Sequence, residues 1–517
     1  MRFRPEFHLT GEHTWINDPN GLFHLDGLWH AYFQNNPLAL HWGNMSWGHA
    51  TSPDLLSWTG HEVAIRCTDQ EDVFSGSAVV DTGDTARFRR PDAAHDPVIA
   101  VYTAHHIHDS PLAGTEAQAL AVSHDRGFTF ERHPGNPVLD RHSGNFRDPK
   151  VFRWGDPDAG HWILAAVEAE HQQVWFYASD DLVSWRELSC FGPRGEVRGT
   201  WECPDLVRVH DPDTGDSLWA LLVSINPGAP WGGSGTQYFL GDFDGVTFTP
   251  TTPHQWLDAG PDNYASVSYH NAPTAPDGHP RVVIQGWLSN WEYCRDTPTV
   301  PDGFRHCLTV PRDLSLTLTA DGRPTLRQRF AAEVVDGLGD PVPVGRLGDG
   351  SLDLSDPLGL LEVGGTSHFT LTLDGLVVRA EDGRIRVDRP GAENERVGAG
   401  FPLTIEHAVT ADGVLILLDR CSAEILADAG RLSLTFSRYP VRHRPAPAPR
   451  SAGRRHRHPS RLAASRPGLS GVLRTRGDRG AEARRRWSEP TRRRHYGAAA
   501  TPAPPRWRPA TARSTAR

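Results

Sequence analysis

Asp18 and Asp148 each lie in a distinctive run and are followed directly by a proline, which limits the backbone freedom of the acid. Asp18 stands in the run Trp15-Ile-Asn-Asp-Pro-Asn-Gly21, and Asp148 stands in Phe146-Arg-Asp-Pro-Lys150. Proline and glycine at these positions favour a tight turn at the end of a strand, where a carboxylate has little torsional freedom. Such a carboxylate could act as a nucleophile. A plain turn and an Arg–Asp ion pair are the competing interpretations.

A glutamate, Glu202, lies in the run Trp201-Glu-Cys-Pro-Asp205. Neighbours of low polarity raise the pKa of a carboxyl group, as a proton donor at neutral pH requires. A buried ion pair is the competing interpretation. Cleavage of a glycosidic bond with retention needs two carboxyl groups about 5 Å apart, one nucleophilic and one proton-donating. The three acids together therefore favour a glycosidase if the fold brings them to one place.

The elements that must position these acids are short strands. The chain has 50 Gly and 42 Pro among 517 residues, and β-type runs broken by turns outnumber helical patterns. Four segments share a turn-forming Asp followed by an aromatic residue, as expected for a hairpin at one corner of a four-stranded sheet. They are Thr51–Trp58, Ser123–Phe130, Ser179–Trp185 and Asp242–Phe248. This repetition predicts an all-β chain with a β-propeller of about five blades over residues 1–330.

The rest of the chain changes character twice. Alternating runs such as Gly413–Asp419 predict a β-sandwich over residues 331–440, and this sandwich looks incomplete because the pattern stops near Ser437. Residues 441–517 are rich in Arg, Pro and Ala, and from Arg438 onwards 22 arginines face three acidic residues. Their apolar residues are too sparse to offset ordering entropy, which predicts a disordered tail. We interpret it as a frame-shifted or read-through end; a basic RNA-binding tail is the alternative.

Together, in this order, the motifs resemble glycoside hydrolase family 32, whose members hydrolyse β-fructosides. The resemblance extends from Pro5 to about Ser437. It includes the runs Tyr32–Pro37, His41–His49, Phe74–Ser77, Gly232–Phe239 and Gly286–Trp291. The family implies a five-bladed propeller that carries the site, followed by a β-sandwich. It also implies a retaining β-fructofuranosidase that releases terminal fructosyl residues from fructans (levan, inulin) or sucrose.

The resemblance also implies a role for each acid. Asp18 would be the nucleophile, Glu202 would be the acid/base, and Asp148 would steady the transition state. Further residues are expected to bind the substrate: Asn17, Gln34, Trp42, Phe74, Ser75, Arg147 and Trp287. Three alternatives remain open, namely a sucrose-6-phosphate hydrolase, a fructosyltransferase using the same site, and a non-catalytic fructan-binding propeller.

Other classes of site and partner find little support. The run His105-His-Ile-His-Asp109 looks metal-like but lacks the ligand spacing of a zinc hydrolase, so we expect neither a metal nor a cofactor. The six cysteines form no CxxC pair and are expected to be free thiols. Outside the tail the chain is acidic, which disfavours nucleic acid and anionic membranes as partners. No apolar run of 18 residues occurs, and the first residues lack a secretory pattern, so we expect a cytoplasmic location.

Overall fold

The computed structural model describes residues 2–91, 93–156, 160–275, 278–340, 342–346, 351–353, 358–364, 368–411, 413–441 and 470–474. Nearly all regular structure in these residues is β-strand, as predicted. The exceptions are two short helices, α1 (Ala332–Gly337) and α2 (Ala392–Glu395), and four 3-10 turns. None of the described helices is long and apolar enough to cross a bilayer.

Residues 15–330 form five antiparallel sheets that follow one another along the chain. The first contains β1 (Trp15–Leu25), β2 (Leu28–Asn36), β3 (Ser46–Ser52) and β4 (Thr59–Gly60). The second contains β5 (Glu71–Val80), β6 (Val98–His106), β7 (Glu116–Ser123) and β8 (Glu131–Arg132). The third contains β9 (Phe146–Trp154), β10 (His161–Glu168), β11 (Gln173–Ser179) and β12 (Arg186–Phe191). The fourth contains β13 (Thr200–His210), β14 (Ser217–Asn226), β15 (Gly235–Phe243), β16 (Phe248–Pro250) and β17 (Gln255–Trp256). The fifth contains β18 (Tyr264–Ser268), β19 (Val282–Leu288), β20 (Cys307–Leu308), β21 (Arg312–Leu318) and β22 (Pro324–Phe330).

Each of these sheets packs on the next through a buried apolar cluster. One cluster joins the first and second sheets, and others join the second to the third, the third to the fourth, and the fourth to the fifth. A further cluster joins the fifth sheet back to the first, with Trp15 and Trp29 packed among Tyr264 and Trp287. Inner strands such as β6, β7 and β10 are therefore buried on both faces, which explains apolar runs such as Val98–Tyr102.

The four Asp–aromatic segments all lie at the same corner of their sheets, between the third and fourth strands. In the first, Asp54 Oδ1 accepts the N–H groups two and three residues further on, at 3.0 and 2.5 Å. Asp181 closes the corresponding turn in the third sheet in the same way, at 2.9 and 2.6 Å. The predicted hairpins are confirmed. The fifth sheet has an equivalent hairpin that carries Asp321 without an aromatic partner, which is why the pattern did not reveal it.

Two further sheets follow. Their strands are β23 (Val342–Arg346), β24 (Ser351–Asp353), β25 (Gly359–Gly364), β26 (Phe369–Leu373), β27 (Leu376–Glu381), β28 (Arg384–Asp388), β29 (Thr404–Ala408), β30 (Val414–Asp419), β31 (Ser422–Ala427), β32 (Leu432–Ser437) and β33 (Ser470–Arg474). One sheet has the order β23-β33-β25-β30-β31-β32, and the other has the order β24-β26-β27-β28-β29. Both contribute to one buried apolar cluster that includes Leu371, Val378, Ile416 and Ile425.

The strand β33 corrects the expectation of a tail without structure. It pairs antiparallel with β23 on one side and with β25 on the other. The run Ser470-Gly-Val-Leu-Arg474 is short, yet a five-residue strand needs few apolar residues when two backbone edges are available to pair with it. This pairing contradicts the predicted disorder at residues 470–474. The rest of the expected tail, residues 442–469 and 475–517, lies outside the described residues.

Candidate active site

The first strands of the five sheets contact one another in cyclic order. Strand β1 contacts β5, β5 contacts β9, β9 contacts β13, β13 contacts β18, and β18 contacts β1. Each of them contains a β-bulge, where two residues lie opposite a single residue of the second strand. The bulged pairs are residues 17–18, 74–75, 148–149, 203–204 and 265–266. A bulge bends a strand and re-aims its side chains. Asp18, Ser75 and Asp148 lie in bulges, and Glu202 immediately precedes one.

Asp18 is held in a buried position at the first bulge. Its Oδ2 accepts a hydrogen bond from the Ser75 hydroxyl at 2.9 Å, and Trp15 Nε1 fixes the neighbouring Asn17 amide at 2.8 Å. Burial and the nearby charge of Glu202 raise the pKa of Asp18 to about 6, against the opposing effect of hydrogen bonds from Asn17 and Ser75. Asp18 is therefore mostly ionised above pH 6 and poorly solvated, which suits a nucleophile.

Asp148 lies close to Asp18. Its φ of 62° is in the left-handed region, which aspartate tolerates better than most residues. Its N–H donates to the Thr103 hydroxyl at 2.8 Å, and its Oδ2 accepts the N–H of Cys203 at 2.9 Å. The Cys203 Sγ lies 3.7 Å from Oδ2 of both aspartates, so one thiol touches the two carboxyl groups. Burial and the charge of Glu202 raise the pKa of Asp148 well above its ordinary value, although Arg147 opposes the rise.

Glu202 is more exposed than the two aspartates and is held from both sides. Arg147 Nη1 donates to its Oε1 at 3.1 Å, and the Tyr264 hydroxyl donates to its Oε2. Burial and the charge of Glu202 raise the pKa of Tyr264 well above its ordinary value, which keeps the phenol protonated as a donor. Arg147 is fixed in turn by Glu116, whose Oε2 accepts its Nε–H at 2.6 Å. The carboxyl group of Glu202 therefore has a defined orientation.

The three acids, together with Ser75 and Arg147, line one cleft of about 420 Å³. Its lining comprises Asn17, Asp18, Gln34, Trp42, Phe74, Ser75, His105, Arg147, Asp148, Glu202, Asn226, Trp291 and Arg295. One end is closed by buried side chains, among them Asn17 at 3% and Gln34 at 2% exposure. The other end opens to solvent at Trp42, which is 42% exposed, and at Arg295. The cleft therefore has a closed floor and an open mouth, with Glu202 partly exposed.

Comparison with known proteins identifies the family of the chain that forms this cleft. Residues 8–329 match the family model described as the glycosyl hydrolases family 32 N-terminal domain, and these residues make up more than half of the chain. The chain belongs to glycosyl hydrolase family 32. The match covers all five sheets that surround the cleft and every residue that lines it.

The chain is similar to an invertase, a levanase and an exo-inulinase. An invertase of Schizosaccharomyces pombe is 39% identical over 320 residues, which are 60% of this chain and 53% of that protein. A levanase of Bacillus subtilis is 39% identical over 326 residues, 62% of this chain and 46% of that protein. The chain thus spans about half the length of these two relatives. The crystal structure of an exo-inulinase from Aspergillus awamori superposes with a TM-score of 0.76 at 28% identity, covering 92% of this chain and 96% of that one.

Nine of the ten residues predicted for the site line the family 32 cleft; the tenth, Trp287, does not. Trp287 is fully buried, and its ring lies 6.3 Å from that of Trp15 and 5.0 Å from that of Trp291. It pairs with Tyr264 inside the fifth sheet, so its side chain packs between the fifth and first sheets. Trp291, four residues later and beyond the end of β19, lines the cleft instead.

Five residues of the site were not predicted from the sequence: His105, Asn226, Tyr264, Trp291 and Arg295. Trp291 ends a run already quoted for the family resemblance, and His105 begins the metal-like run, so both carried a signal. His105 stacks on Phe74 with ring centroids 4.5 Å apart and serves as a wall. No three His, Cys, Asp or Glu side chains in the described parts of the chain are placed to hold a metal ion. Asn226, Tyr264 and Arg295 had no sequence signal.

Proposed function

We propose that the chain is a retaining β-fructofuranosidase. The observation that carries the proposal is the convergence of Asp18, Asp148 and Glu202, from three separate sheets, on one cleft of a family 32 chain. The names of its relatives, invertase, levanase and exo-inulinase, support fructans or sucrose as substrates. The arrangement of the sheets further supports a five-bladed propeller formed by residues 15–330, with a β-sandwich behind it.

Asp18 is the proposed nucleophile. Its carboxylate lies at the closed end of the cleft and is oriented by Ser75. Attack on the anomeric carbon of fructose would form a covalent fructosyl ester as the leaving oxygen departs. The proline that follows Asp18 and the bulge that contains it limit the motion of the carboxylate, which lowers the entropic part of the barrier.

Glu202 is the proposed acid and base. It would protonate the leaving oxygen in the first step and deprotonate the incoming water in the second. Its greater exposure than that of Asp18 supports a position nearer to solvent, where a leaving group would depart and water would enter. Retention also requires its carboxyl group to lie about 5 to 6 Å from that of Asp18. Asp148 is proposed to bind fructose hydroxyls and to stabilise the oxocarbenium-like transition state.

The closed floor of the cleft supports release of terminal residues. A single fructosyl unit would end against the buried side chains of Asn17, Gln34 and Ser75, whose amides and hydroxyl suit sugar OH groups. The remainder of the substrate can extend only through the mouth. This geometry supports cleavage from the chain end of levan or inulin, and cleavage of sucrose.

The test compares the wild type with Asp18→Asn and Glu202→Gln. Free fructose is measured from sucrose, inulin, levan and sucrose 6-phosphate side by side. We expect Asp18→Asn to abolish turnover, because an amide cannot form the ester intermediate. We expect Glu202→Gln to lower turnover of sucrose by about 10² to 10⁴, the usual contribution of a general acid. Arg323→Ala, an exposed turn residue far along the chain from the site, serves as the control.

Two further readouts make the test decisive. With methanol present, a retaining enzyme transfers fructose to it and forms methyl β-D-fructofuranoside, whereas an inverting enzyme does not. Trisaccharides as the main product at high sucrose would indicate a transferase instead of a hydrolase. A wild-type protein that cleaves none of the four substrates would overturn the proposal and favour a fructan-binding protein.

A further inference from the structure

The cationic side chain of Arg295 lies at the mouth of the cleft and has no role in the proposed chemistry. Arg295 lies in the 3-10 turn Cys294–Asp296 and is exposed to solvent at the edge of the cleft. Trp42, in the same lining, is the other strongly exposed side chain of the cleft. The two side chains therefore mark the solvent end, opposite the buried floor.

The backbone that carries Arg295 is firmly anchored. Asn290, four residues before the turn begins, donates its side-chain amide to the carbonyls of Gly232 at 3.2 Å and Pro261 at 2.8 Å. The backbone carbonyl of Asn290 accepts the backbone N–H of Cys294 at 2.9 Å. The Arg305 guanidinium binds the carbonyl of Cys294 at 3.3 Å and also that of Arg295. The turn is thus fixed to two other loops, which limits the positions that the side chain of Arg295 can reach.

The guanidinium of Arg295 forms no hydrogen bond and no ion pair with any residue that the structure describes. By contrast, Arg147 in the same lining is engaged by Glu116, Asn145 and Glu202. A guanidinium presents five N–H donors in a planar fork. An anchored backbone and free donors at the edge of a sugar-binding cleft point to a ligand.

The position identifies which part of the substrate reaches Arg295. If the terminal fructosyl unit occupies the floor, the scissile oxygen must lie at Glu202, and the departing sugar must lie between Glu202 and the mouth. We propose that Arg295 binds hydroxyl groups of this leaving sugar and thereby contributes to substrate specificity. The fork can donate two parallel hydrogen bonds to a pair of adjacent hydroxyl oxygens, and the exposed face of Trp42 offers an apolar surface to the same ring. This inference rests on the proposed function.

The test exploits a substrate that has no leaving sugar. Methyl β-D-fructofuranoside and sucrose present the same fructosyl group, and the leaving group of each departs as an alkoxide that needs a proton. Only sucrose places a sugar at the mouth. For Arg295→Ala we expect the KM for sucrose to rise about tenfold with kcat nearly preserved, because the lost contact is equal in the ground and transition states. The specificity constant for methyl β-D-fructofuranoside should fall less than threefold. Arg295→Lys should fall between the wild type and Arg295→Ala on sucrose, since it keeps the charge but loses the fork.

Arg323→Ala is the matched control, an exposed arginine outside the cleft that should leave both specificity constants unchanged. Equal losses on the two substrates would overturn the inference, because they would show that Arg295 acts on the fructosyl pocket or on folding. No loss on either substrate would also overturn it. Both outcomes presuppose a wild-type protein that cleaves sucrose, so they differ from a failure of the proposed function, in which the wild type itself is inactive.

Discussion

At the scale of single residues, three carboxyl groups share one cleft, where the negative charge of one changes the pKa of the others. Asp18 and Asp148 are buried, and the charge of Glu202 adds to the effect of burial on both. Arg147 is a cation in contact with this group, and it is shared between Glu116 and Glu202. A nucleophile with a pKa of about 6 is ionised near neutral pH but loses its charge under mildly acidic conditions. The ionisation of Asp18 therefore depends on the state of Glu202.

This dependence predicts the acid limb of the pH profile. The specificity constant should fall as the pH drops through about 6, because protonated Asp18 cannot attack. In Glu202→Gln the neighbouring charge is absent, which lowers the pKa of Asp18, so the limb should move to lower pH. The measurement uses p-nitrophenyl β-D-fructofuranoside, whose leaving group needs no proton. Glu187→Gln, an exposed acid bound to Arg141, is the control. A limb that stays in place or moves upward would exclude Asp18 as the titrating group.

At the scale of elements, the strand β33 lies between two strands of the six-stranded sheet and keeps an edge of each from being unpaired. It fills the gap between β23 and β25 and pairs with both. Without it, two rows of backbone N–H and C=O groups lose their partners, and an unpaired edge promotes association with other chains. The cleft does not depend on this sheet, since every residue that lines it precedes residue 296.

Two truncated chains separate these effects. A chain ending at Val441 lacks β33, whereas a chain ending at Arg474 retains it. We expect the shorter chain to have a lower midpoint of thermal unfolding and to scatter more light at equal concentration, because β25 exposes its edge. Both chains should keep the wild-type kcat/KM on sucrose within about twofold, since no catalytic group is touched. Equal midpoints and equal scattering would show that β33 does not stabilise the sheet. They would favour the interpretation of a tail without selected structure.

At the scale of the whole molecule, a buried network of charges joins the start of the chain, the fifth sheet and the six-stranded sheet that contains β30 and β31. His8 lies between Asp419 at 2.8 Å and Glu424 at 2.7 Å, with all three side chains fully buried. Arg312 of the fifth sheet binds Glu424 as well as Asp258, the latter at 3.0 Å. Removing one partner of such a network leaves an uncompensated buried charge, which typically costs about 3 to 5 kcal/mol.

The network predicts a stability that falls at alkaline pH. Burial alone would lower the pKa of His8, but hydrogen bonds to Asp419 and Glu424 raise it to about 10. A raised folded-state pKa contributes stability that is complete below the unfolded value near 6.5 and is lost as the pH rises through about 10, at about 1.4 kcal/mol per pH unit. The free energy of unfolding, measured in urea at pH 6.5, 8 and 9.5, should therefore decline more steeply for the wild type than for His8→Gln.

The control for this measurement is His171→Gln, which changes an exposed histidine of a 3-10 turn. Its free energy of unfolding should follow that of the wild type at all three pH values. Parallel curves for the wild type and His8→Gln would mean that His8 is neutral in the folded protein, and that the network is held by Arg312 alone.

The sequence by itself determined the features that arise from local interactions. The hairpins were predicted because each is closed by an Asp side chain bonded to its own backbone, and Asp18, Asp148 and Glu202 were found because each stands in a distinctive run with proline. Tertiary structure decided the rest. Bulges depend on the register of a partner strand, so the sequence could not show that Trp287 packs inward while Trp291 reaches the cleft. Tyr264, Arg295 and β33 likewise acquire their places only through contacts with distant segments, whose position no local pattern encodes.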